Sequence, residues 1–81
     1  MIKTFIEDTG ALRIAAVEIA GIKNDTERGI ALSFLFEACG ELALTYARPA
    51  GVVGRLTGVV AEEFQAERQR LRIRAELGEA A

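Results

Sequence analysis

The sequence predicts a mainly α fold: an antiparallel hairpin of two long helices with a short N-terminal helix or β-hairpin packed on it. Three observations carry this. The stretch 25–48, DTERGIALSFLFEACGELALTYAR, sorts apolar and polar residues at the helical period. The stretch 52–77 places Val53, Leu56, Val60, Phe64, Leu71 and Ala75 on one seam, at spacings of 3, 4, 4, 7 and 4. Between them, Pro49 disfavours helical geometry at Arg48, and so short a connection favours antiparallel neighbours. At 81 residues, the chain is expected to form a single small helical domain, residues 1–81.

The first element is the ambiguous one. Asp8 suits the N-cap of a helix running to Ala20, with Gly21 as a left-handed closing residue. Alternatively, residues 7–10 (Glu-Asp-Thr-Gly) turn a β-hairpin that pairs residues 2–6 with 12–19. The alanines at 11, 15, 16 and 20 favour helix, whereas Ile14, Val17 and Ile19 suit strand. Helix is preferred, with the hairpin still open. Either way the segment should lie against one flank of the central helix.

That central helix has a marked start. Asn24, Asp25 and Thr26 are all good N-cap residues, and Asn24 followed by Glu27 resembles a capping box. On a helical wheel Glu27, Ser33, Glu37, Gly40, Glu41, Thr45 and Arg48 fall within roughly 140°. The opposite arc is apolar on two flanks: Ala31, Leu35, Ala38 and Leu42 on one, Leu32, Phe36, Cys39 and Ala43 on the other. It covers about half the circumference, where a simple hairpin needs only about 100°. Two flanks predict two neighbours. One is expected to be the rest of this chain. The other is expected to be a second copy, pairing through Leu32, Phe36, Cys39 and Ala43 into a dimeric helical bundle. Ile30, Phe34 and Leu44 fall outside the arc, among polar positions, and with Tyr46 form a candidate docking patch.

The second long helix, from Val52 to about Leu77, has an ordered polar face. Glu62, Glu63 and Glu67 precede Arg68, Arg70, Arg72 and Arg74, and Gly78 suits the C-cap, beyond which the end should fray. Glu67 interrupts the seam, so this helix is expected to reach past the core. Its first turns contain Gly54 and Gly58, which with Gly40 would let the two long helices approach closely. The run 51–58 is no P-loop, because the Gly-Lys-Ser/Thr ending is missing.

Composition excludes several chemistries. There is no histidine and one cysteine, so neither an intrachain disulfide nor a nucleophile–histidine set can form, and zinc lacks ligands. Cys39 reads as a small buried hydrophobe. Glu37 and Glu41 read as the wet edge of their helix rather than paired catalytic carboxylates. No cofactor, no catalytic residue and no metal ligand is expected. A net charge of −2 argues against a general polyanion binder. No signal peptide or membrane span is evident, so a cytoplasmic location is expected. The function expected is a non-catalytic protein–protein interaction module, an adaptor or an inhibitor. It would dock on a larger protein through Ile30, Phe34, Leu44 and Tyr46 and through Arg68, Arg70, Arg72 and Arg74. The alternative is a small dimeric nucleic-acid-binding regulator that uses the same arginines.

Overall fold

A computed structural model describes residues 4–78. The chain forms three helices, α1 (Phe5–Ala20), α2 (Asp25–Ala43) and α3 (Pro49–Glu76), with no strand among the described residues. The N-terminal ambiguity therefore resolves as helix; residues 1–3, part of the alternative strand, and 79–81, expected to fray, lie outside the described residues.

Helix α1 begins one turn earlier than its sequence suggested. Thr4 is the N-cap: its Oγ1 accepts from the Glu7 N–H at 3.0 Å, and Glu7 Oε1 accepts from the Thr4 N–H at 3.2 Å. This reciprocal box satisfies two N-terminal donors and displaces Asp8 from the capping role. Gly21 ends α1 with φ −84°, not in the left-handed region. Asn24 caps α2 as anticipated, accepting from the Glu27 N–H at 2.9 Å. At its far end α2 stops at Ala43, short of the full 25–48 stretch, and residues 44–48 make the turn. Pro49 belongs to α3 as its first residue, where a missing N–H costs nothing and the fixed φ already suits a helix. Gly78, with φ +76°, follows α3 in the left-handed conformation that glycine tolerates best.

The helices pack up-down-up, with α3 closest to α1 and also against α2. The core is Leu12 and Ala16 from α1, Leu35, Cys39 and Ala43 from α2, and Leu56 and Val60 from α3. Each flank of α2 meets another helix of the chain, although Ala38 stays exposed. Leu12 shares a groove with Ala38 and Leu42, which puts α1 on that side. Arg28, one turn before Leu32, shares a cleft with Arg68 and Leu71, which puts α3 on the other. Of the four residues expected to face a second copy, Cys39 and Ala43 lie in the core of the single chain. Leu32 and Phe36 pack partly on that core. The second flank of the arc meets α3 within the chain.

With 28 residues against 16 and 19, α3 is the longest helix, about 42 Å at 1.5 Å per residue. The molecule measures 49 × 23 × 19 Å. The seam follows suit: Leu56 and Val60 are buried, Val53 and Phe64 pack on the core, Leu71 is half-buried and Ala75 is exposed. Gly40, Gly54 and Gly58 do not serve a close helix approach, since a Cβ built at each meets nothing within 4 Å.

Candidate functional site

Two surfaces come from the residues singled out in the sequence. The first is the outward side of α2. Ile30, Phe34 and Leu44 are 52%, 64% and 72% exposed, and Glu37 and Glu41 stand exposed among them. Helical spacing puts all five on one stripe opposite Leu35 and Cys39. Beside the stripe runs an open groove of about 550 Å³ between α1 and α2. Leu12, Phe34, Ala38 and Leu42 supply its apolar wall, and Glu37, Glu41 and Thr45 its polar edge.

Tyr46 does not belong to that stripe. Because α2 ends at Ala43, Tyr46 leaves the helical wheel and turns back onto the start of α1. Its hydroxyl donates to Oδ2 of the buried Asp8, and its ring meets Phe5 edge-on at 6.3 Å and 76°. The hydrogen bond to Asp8, with some burial and the Asp8 charge, pushes the Tyr46 phenol up to about 12. Tyr46 is therefore a clasp between the α2–α3 turn and α1.

The second surface is the arginine-bearing half of α3, and here the four arginines divide. Arg70 pairs with Glu67 at 2.7 Å and with Glu63 at 3.6 Å, and Glu63 also meets Arg13 of α1 at 3.8 Å. Arg68 Nη1 donates to the Ala20 carbonyl at 2.9 Å. Helix α1 has no basic residue in its last turn, so Arg68 brings a cation from another helix to that negative end. Arg72 is exposed and shares a cleft with Arg68. Arg74 is exposed on the last turn of α3.

Sequence reasoning missed Arg28. It lies on α2 at the head of the α3-facing flank, donating to the Ile22 carbonyl at 2.7 Å and paired with Asp25. The signal was available: a lone cation on an otherwise apolar flank. Cys39 is buried, and burial pushes its thiol up, which favours the unreactive form. Among the described residues no group of three or more His, Cys, Asp or Glu side chains is placed to hold a metal ion, and no helix is long and apolar enough to cross a membrane. Comparison with protein-family models, with curated proteins and with solved structures finds no match.

Proposed function

We propose that this chain is a non-catalytic protein–protein interaction module, an adaptor or an inhibitor, that docks on a larger protein through the outward stripe of α2 and the arginine-bearing end of α3. One observation carries the reading. Three large apolar side chains, Ile30 and Phe34 of α2 and Leu44 at its C-cap, share one solvent-facing stripe, beside an open apolar groove. Isolated exposed hydrophobes are ordinary on any protein, but a stripe of them is the pattern by which a helix fits a partner's groove. Phe34 is the natural anchor, since aromatic side chains dominate binding hot spots. The lack of histidine supports the non-catalytic part of the reading, because the common nucleophile–base pairs need it.

The test is quantitative affinity capture with the wild-type chain, the Phe34→Asp/Leu44→Asp double variant, and Glu18→Ala as an exposed control on α1. The expected result is a defined partner retained by wild type and control and reduced at least about tenfold by the double variant. Circular dichroism checks that the variant is still helical. A folded double variant that holds the partner as tightly as wild type removes the α2 stripe from the proposal.

A further inference from the structure

The long α3 meets the α1–α2 turn in a cleft of about 660 Å³. Four cations line it, Lys23, Arg28, Arg68 and Arg72, against one carboxylate, Asp25. This is a local concentration of positive charge in a chain of net charge −2. Leu71 and Ala75 add an apolar patch beside the two α3 arginines.

The four cations differ in how they are held. The Arg28 side chain is only 15% exposed, and Nη1 donates to the Ile22 carbonyl. Arg68 is half-buried and fixed by the Ala20 carbonyl. The Arg28 bond ties the start of α2 to the α1–α2 turn, the Arg68 bond ties α3 to the end of α1, and Arg28 Nη2 is also paired with Asp25 at 2.5 Å; each guanidinium has five N–H donors, and these contacts use only some of them. Two guanidiniums are thus oriented in advance, so less side-chain freedom is lost when an anion arrives. The Lys23 carbonyl accepts from Arg28 Nη1 at 3.5 Å, but the Lys23 and Arg72 side chains are exposed at the cleft and free to close on a ligand.

We infer that this cleft binds an acidic peptide segment of another protein, one that carries at least two carboxylates and an apolar residue. Guanidinium forks match carboxylates in two-point hydrogen bonds. The apolar patch gives a peptide side chain a place that a bare anion would not use. A nucleic-acid backbone fits less well: tight binding needs many phosphates along a basic track, and here the cations are gathered at one spot in an acidic chain. The inference rests on the interaction-module reading and names the chemistry of the partner at its α3 end.

The experiment is fluorescence anisotropy with a labelled short Glu/Leu peptide, a Gln/Leu peptide of the same length, inorganic phosphate as competitor and a short DNA duplex. The expected result is saturable binding of the Glu/Leu peptide alone. Lys23→Gln/Arg72→Gln should weaken it at least about tenfold, the scale of one lost charge-assisted bond. Phe34→Asp/Leu44→Asp should leave it unchanged. Equal binding of the Gln/Leu peptide, tighter binding of the duplex, no peptide binding at millimolar concentration, or a folded Lys23→Gln/Arg72→Gln variant that binds normally would each overturn the inference. If peptide binding fails while capture through the α2 stripe succeeds, the cleft is wrong and the module reading stands.

Discussion

Tyr46 shows how one residue changes role when a helix ends early. In a helix continued through residue 47 it would have joined the docking face; with α2 ended at Ala43 it ties the second turn to the first helix through Asp8. The consequence is a dependence on alkaline pH. Folding raises the phenol to about 12, so the folded state holds the proton more tightly than the unfolded chain does. The clasp contributes in full below the unfolded value of about 10 and is lost as pH rises through about 12. The chain has one tyrosine and no tryptophan, so near-ultraviolet absorbance follows this group alone. A tyrosinate transition near 12 in the folded protein is expected, and Tyr46→Phe should remove the matching part of the stability loss. A transition near 10 in folded protein would show that the clasp does not hold.

At the scale of the element, α3 carries an apparent contradiction. Gly51, Gly54 and Gly58 lie in its first three turns, where glycine weakens a helix, and none is required by packing. Gly54 is exposed, and an added Cβ meets no atom within 4 Å. Gly54→Ala is therefore expected to stabilise the protein by about 0.5–1 kcal/mol, through the lower entropy of the unfolded chain. Urea denaturation reads this as a higher midpoint at unchanged slope. A lower midpoint would mean that α3 needs space at this position for something the bundle itself does not contain.

At the scale of the molecule, one chain closes its own core. Leu56 and Val60 of α3 are fully buried together with Cys39 of α2 and Ala16 of α1 within one chain. The thermal midpoint is accordingly expected to be independent of protein concentration across the micromolar range. A midpoint that climbs with concentration would show that association contributes to folding. Two clasps mark the ends of this bundle. Tyr46 with Asp8 joins the α2–α3 turn to the start of α1, and Arg68 with the Ala20 carbonyl joins α3 to the end of α1. Each is a single long-range hydrogen bond that no helical periodicity encodes.

The amino-acid order by itself determined the helices α2 and α3, the cap at Asn24, the break before Pro49, the apolar seam through Leu56 and Val60, and the exposed positions of Ile30, Phe34 and Leu44. These are local properties, set by side-chain spacing and by backbone groups a few residues apart. Only the tertiary structure decided what lies against what. A wheel shows that α2 has two apolar flanks, but it carries no label for the neighbour; that α3, tethered five residues away, packs on one of them is seen only in the tertiary structure. The same holds for the cleft: Lys23, Arg28, Arg68 and Arg72 come from a turn and two helices, and their charges add only once packing has brought them together.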